Sequence, residues 1–385
     1  MIQHLIQNII EFLTMTGRFK IFIKCIGLYL CLITAPINAQ ILQDTTSLNL
    51  VKKNIDYIYN LQFNNAREVH SKINRLYPRH PVVFLLNGMM TYWENYPMLS
   101  TTSARDSFEE DMRRCISLCQ SNKNSAYEAE YLLVDLCARG LLLMFYADND
   151  LIIEVIPLTT GTYQYLRRSF DFTSVCTDLN YFTGLYNYYR EAYPKAYPVY
   201  KPLALLFPGG DMEIGLKELQ TATVNSVVLR AESYFLLTWI YLNFENNYSE
   251  ASVYSKSLHE LYPDNVLYLA SYIKNLLLIR QYDEAEKLII ASTDETGNRY
   301  FKAQLTIFKG ILREKKYHDN KLAQEYYKKG LSSISNFGGY GDEYSAYAYY
   351  GLSRISKAIG DKHSGKIYQK KAMELADFKK INFDK

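Results

Sequence analysis

Two helical hairpins in tandem, over residues 232–299, constrain this chain more than anything else in it. Tyr248, Ala251, Leu261 and Pro263 punctuate the first. Tyr282 and Ala285 stand 34 positions beyond Tyr248 and Ala251. A small residue admits a partner helix at the closest crossing of a hairpin, and larger neighbours fill the groove to the next unit. Such a unit cannot bury its apolar face alone, so it stacks on copies of itself. The spacing also occurs earlier. Phe63, Ala66, His70, Ile73, Leu76 and Pro78 keep the intervals of Tyr248, Ala251, Ser255, Leu258, Leu261 and Pro263, and both series end in Leu-Tyr-Pro.

The rest of the chain is read against that period. Residues 40–47 are polar and read as a short tether, and the helical pattern begins at Leu48. Helices are predicted over 81–94 and 105–120, with a longer connection at 95–104 between them. Helices near 125–146 and 150–170 fall out of repeat phase, and Pro157 is expected to kink or end one of them. A helix near 177–192 carries Gly184, and its partner carries Gly215, Leu219 and Ala222. The 31 positions from Gly184 to Gly215 exceed the roughly 12 of a standard unit, so this hairpin has an insertion of about 19 residues at its tip. The insertion, 193–210, alternates tyrosine with proline. Pro194, Pro198 and Pro202 argue against a regular helix and for an extended course. The apolar run 203–207 is then expected to fold back and bury its leucines and Phe207. After it, Pro208-Gly-Gly-Asp211 reads as a turn with Asp211 as the N-cap of the next helix. Two further units follow 232–299, one with Gly310, Ala323, Tyr327 and Gly330, the other with Gly351, Gly365 and Ala372. A loop at 337–342 separates them, and 379–385 reads as a solvated tail.

Units 48–78, 232–265, 266–292 and 300–331 resemble tetratricopeptide repeats. The resemblance implies an all-α solenoid of helical hairpins, with an irregular N-terminal half and the Tyr/Pro-rich insertion. Gly184-Leu-Tyr-Asn-Tyr-Tyr-Arg190, together with 207–219, is also similar to a narrower group. This is the cytosolic tetratricopeptide family linked in fungi and animals to clearing inclusion bodies and lipid droplets. The N-terminal segment described next departs from that family, so only the fold expectation carries over.

Arg18, Lys20 and Lys24 precede an apolar run over 25–33, and Ile37-Asn38-Ala39 precedes Gln40. That order reads as a signal peptide over 1–39, cleaved near Ala39/Gln40, with Met15 as an alternative start. The expected location is a bacterial periplasm or cell envelope, with no mature transmembrane helix. The expected regions are 40–176 (helical and repeat-like), 177–223 (the expanded hairpin) and 224–385 (the C-terminal array and tail). The chain carries a net charge of +3, of which +2 falls in 1–39, so there is no electrostatic case for nucleic acid. Cys115, Cys119, Cys137 and Cys176 remain after cleavage. Export permits disulfides among them, but without a neighbouring histidine they read as buried thiols rather than a metal set.

No nucleophile elbow, phosphate loop or metal spacing occurs, so neither an enzyme nor a cofactor is expected. In tetratricopeptide proteins the first helices line a concave groove. On this chain that places Leu236, Ile240, Phe244, Leu267, Lys274, Leu278, Ile307 and Ile311 on the face. Some chaperone-binding members grip a peptide carboxylate there with lysine and asparagine; Leu236 and Ile240 take the matching positions, so that mode is not expected. Arg190, Tyr193, Tyr197, Tyr200 and Lys201 are the candidate partner-binding residues of the insertion. The reading that follows is an exported interaction scaffold for a protein or peptide partner. The alternative is a solute-binding protein holding a small apolar or glycan ligand in a helical cradle.

Overall fold

A computed structural model describes residues 41–376, apart from 43, 124 and 293–296. The segment read as a signal peptide and the tail at 379–385 lie outside the described residues. The described chain is helical throughout. Its helices pair in sequence: α1 (Thr45–Tyr59) with α2 (Phe63–Leu76), α3 (Pro81–Glu94) with α4 (Arg105–Ser121), and α5 (Glu128–Asp148) with α6 (Ile152–Ser169). Then α7 (Asn180–Ala196) pairs across the insertion with α9 (Met212–Asn225), the short α8 (Lys201–Ala204) lying within it. The remaining pairs are α10 (Arg230–Asn243) with α11 (Tyr248–Leu261), α12 (Val266–Leu278) with α13 (Tyr282–Ser292), α14 (Arg299–Lys315) with α15 (Asn320–Ile334), and α16 (Asp342–Ala358) with α17 (Lys362–Leu375). Each hairpin also packs on the next. The result is a stack of helical hairpins. Its members are not uniform: α5 has 21 residues and α6 has 18, more than a 34-residue unit can hold.

The small residues sit where helices meet. Ala66, Ala251, Ala285, Ala323 and Ala372 are fully buried. Tyr327 fills the space left by two glycines, so a Cβ on Gly310 would come within 2.7 Å of its ring and one on Gly351 within 2.3 Å. Its hydroxyl donates to Glu314 at 2.6 Å. Caps mark many of the starts. Asp211 accepts from the amides of Glu213 and Ile214, as the sequence suggests, and Asn265 does the same for α12.

The chain also returns on itself. Tyr59 of α1 packs against Tyr262 and Tyr268, with ring centroids at 5.5 and 6.3 Å. Asn265 donates to the Tyr59 carbonyl at 2.8 Å. Trp93 meets Tyr268, and Tyr96 lies between Tyr300 and Tyr340. The first helices α12 and α14 are thus covered in part by the chain's own N-terminal hairpins.

Four expectations need correction. The stretch 40–47 is no free tether where it is described: Ile41 is fully buried, and the Glu130 carboxylate accepts from the Ile41 and Leu42 amides at 3.1 and 3.2 Å. Of the two outcomes expected at Pro157, a kink or an end, the end is excluded, since α6 continues through it to Ser169. The segment 337–342 is not an open loop; two 3-10 turns within Ser335–Gly341 meet at a kink at Gly338, whose φ is 54°. Finally, the insertion is not extended. Helix α7 runs through Pro194, Pro198 opens a 3-10 turn, and Pro202 lies in the first turn of α8. A proline in the first turn has no intrahelical amide bond to lose, so prolines can start short helical turns as readily as they break long ones.

Candidate functional site

The site is built on the expanded hairpin and the helix before it. Two groups pin the far end of the insertion to α7. The Tyr186 hydroxyl donates to the Pro208 carbonyl at 2.7 Å. Arg190 donates through Nε and Nη2 to the Phe207 carbonyl, at 3.3 and 3.1 Å. The Gly210 amide donates to Glu191 at 3.2 Å, and Arg190 pairs with the same carboxylate. At the near end, Tyr193 packs on Tyr197 and Tyr200, with centroids at 4.9 and 5.2 Å. Phe207 is half-buried and meets Tyr163 of α6 at 5.0 Å.

Held at both ends, the middle of the insertion has nothing to pack against. Leu205 is 81% exposed and Leu206 76%, and Val199, Tyr200 and Leu203 are exposed with them. The expected burial of these leucines is therefore wrong; of the apolar run, Ala204 and Phe207 alone are half-buried. The physical reason is reach. A single short turn between two fixed ends cannot bring aliphatic side chains back to the stack.

A second exposed group lies on α6. Ile153 is 82% exposed, and Ile152 and Ile156 are exposed beside it. Ile152, Ile156 and Tyr163 share one helix face by their spacing, and Tyr163 carries the ring contact to Phe207. The α6 helix and the insertion meet at this one aromatic pair, two to three turns from the exposed isoleucines, and the exposed leucines of the insertion form an apolar edge beyond it. Between Ala192 and Gly210 the chain has two lysines, Lys195 and Lys201, and no carboxylate.

The predicted residues divide. Tyr200 and Lys201 are exposed on this edge, Tyr193 and Tyr197 form its half-buried aromatic base, and Arg190 anchors it. Of the groove candidates, Leu236, Ile240 and Phe244 pack in one cluster with Tyr188 of α7, the helix that carries the base of the insertion, and the others lie in later hairpins. Leu236, Phe244, Leu267 and Leu278 are half-buried, and Ile240, Ile307 and Ile311 are fully buried. Lys274 is buried and paired: its ammonium donates to both Glu343 oxygens at 3.1 and 3.2 Å, and Tyr347 donates to the same carboxylate. Sequence reading missed the α6 isoleucines. The signal was present: 151–158 places apolar residues on every side of one helix turn, more than a single buried face can use.

Titratable groups elsewhere look structural. Asp178 accepts from the amides of Val227, Val228 and Leu229 and so holds the start of α10. The four cysteines are free, and burial pushes the Cys119 and Cys137 thiols well up and Cys176 to about 12. Glu232 on α10 is less settled. Burial raises its carboxyl to about 8, and its Oε2 is buried without a hydrogen-bond partner. Among the described residues, no cluster of His, Cys, Asp and Glu is arranged to hold a metal, and no helix is long and apolar enough to cross a membrane.

No protein-family model matches the chain, and no curated protein matches it significantly.

Proposed function

We propose that the protein is an exported interaction scaffold of the periplasm or cell envelope. In this reading the stack of hairpins is a tetratricopeptide-type frame. It holds a protein or peptide partner along its surfaces and performs no chemistry of its own. The observation that supports it is the exposed edge. Single apolar side chains such as Val224, Ile290 and Ile359 are exposed elsewhere on the chain, but Leu203, Leu205 and Leu206 are exposed together in one short segment. Interaction sites carried on loops of a rigid frame are a common arrangement. Export is supported by the order of basic, apolar and small residues in 1–39. A second reading, the small-ligand cradle, has no specific observation in its favour.

The test is crosslinking of the tagged, processed protein in living cells, followed by identification of what is attached. The scaffold reading expects one or a few discrete protein partners in fixed proportion. Recovery of the uncrosslinked chain alone contradicts it.

A further inference from the structure

We infer that the buried Glu130 carboxylate is the seat of the chain's own new N-terminus, the α-ammonium that cleavage at Ala39/Gln40 creates. The inference rests on the export reading for that cleavage and is independent of what the apolar edge binds. Removal of the leader then completes the fold, because it delivers a counter-ion to a carboxylate with no other lasting one.

The first observation is the state of the carboxylate. Glu130 lies in the first turn of α5, with 2% of its side chain exposed. A helix start favours the ionised carboxyl, yet a buried charge is costly unless a cation answers it. Among the described residues its one ion-pair contact is His80, whose Nε2 lies 2.9 Å from Oε1. That imidazole is a poor counter-ion. Its Nδ1 accepts from the Val82 amide at 3.2 Å. A ring nitrogen that accepts carries no proton, so the ring is neutral in this arrangement. The other titratable groups that feel the Glu130 charge are Tyr131, which stacks on His80, and Cys176. Neither can become a cation.

The second observation is what the carboxylate holds. Oε1 accepts from the Ile41 amide at 3.1 Å and Oε2 from the Leu42 amide at 3.2 Å, and Ile41 is fully buried. Asp44 in turn caps α1 through the Ser47 amide at 2.8 Å. Ile41 and Asp44 are thus each pinned, and the chain cannot slide past Glu130. The peptide bond between Gln40 and Ile41 sets their backbone nitrogens no more than about 4 Å apart. The Gln40 nitrogen therefore stands within about 7 Å of Oε1, given the 3.1 Å from Oε1 to the Ile41 nitrogen. Opposite charges at that range interact well above thermal energy at the effective dielectric of a protein. In the precursor the same nitrogen is an uncharged amide, so the ion pair exists only after processing.

The experiment compares four forms of the protein. They are the processed chain from Gln40 to Lys385, the same chain preceded by Gly-Ser-Gly-Ser, the processed chain with an acetylated α-amine, and the processed chain with Glu130→Gln. Mass spectrometry first confirms the free amine, since an N-terminal glutamine can cyclise with its own side chain and lose it. The α-amine is then titrated through the pH dependence of its acylation rate. In the processed chain its pKa should stand about one unit or more above the ordinary range of about 7.7–8.0, and Glu130→Gln should return it to that range. The extended and acetylated chains should melt about 2 °C below the processed chain at pH 7. In the Glu130→Gln background the same extension should change nothing. If Glu130→Gln fails to fold, the titration of the wild type and its comparison with the acetylated chain carry the test alone. An amine that titrates at its ordinary value overturns the inference, as do three wild-type forms that melt together; Glu130 is then only a clamp for two amides. That failure leaves export untouched, because export is read from the N-terminus of the protein made in its own cells. Gln40 there supports both readings, while an intact Met1 or Met15 removes export and the inference with it.

Discussion

Glu232→Gln should flatten the pH dependence of stability. In the folded chain the Glu232 carboxyl is raised from its ordinary 4.5 to about 8, because burial removes water from it and Oε2 has no partner to replace that water. The folded protein therefore binds this proton more tightly than the unfolded chain does. Its contribution is fully present below about pH 4.5 and is lost as pH rises towards 8. At 1.36 kcal/mol per pH unit the interval sets a ceiling of about 5 kcal/mol, and local relaxation lowers it to about 2–4 kcal/mol. Glutamine keeps the shape and cannot ionise. Urea unfolding of the processed chain should show wild type and variant within about 0.5 kcal/mol at pH 5. At pH 8.5 the variant should be more stable by that 2–4 kcal/mol. Parallel stability curves for the two proteins from pH 5 to 9 would refute the reasoning, because Glu232 would then be solvated in the folded chain.

Further predictions concern packing, charge and export. Gly351→Ala places a methyl group 2.3 Å from the Tyr327 ring and should cost about 1–3 kcal/mol in a denaturant titration. Ala251→Leu, at a fully buried crossing, should cost a similar amount, and an unchanged melting temperature would mean that this crossing is not tight. Lys274→Met strands the buried Glu343 carboxylate and should cost about 3–5 kcal/mol, most of it recovered when Glu343→Gln is added. A fusion of 1–45 to a reporter should leave the cytoplasm, with the processed chain beginning at or near Gln40; an intact Met1 or Met15 on the soluble protein would contradict export.

Local rules read from sequence did well where the structure is local. The crossings at Ala66, Ala251 and Ala285 and the cap at Asp211 follow from spacing and side-chain type within one hairpin. What was illegible depends on distance along the chain. Glu130 clamps the amides of Ile41 and Leu42 from 88 or more positions away, and Lys274 finds Glu343 across 69. No periodicity reports such pairs. Lys274 therefore reads as a groove residue when its charge belongs to a buried ion pair. The insertion misled for another reason. Prolines at 194, 198 and 202 forbid one long helix but not a chain of short turns, and the rule that apolar runs seek cover assumes cover within reach. The α6 isoleucines were passed over because a helix in a stack is expected to have one buried side, and α6 has apolar residues on more.

The most direct test of the account is a photo-reactive residue in place of Leu205 in the full chain, activated in living cells. A second probe at Lys328, exposed and polar on α15, serves as the control. The account predicts that the Leu205 probe attaches to a component of the cell envelope while the Lys328 probe does not. If both probes react only with water, the edge meets nothing, and the exposed leucines are no interaction surface.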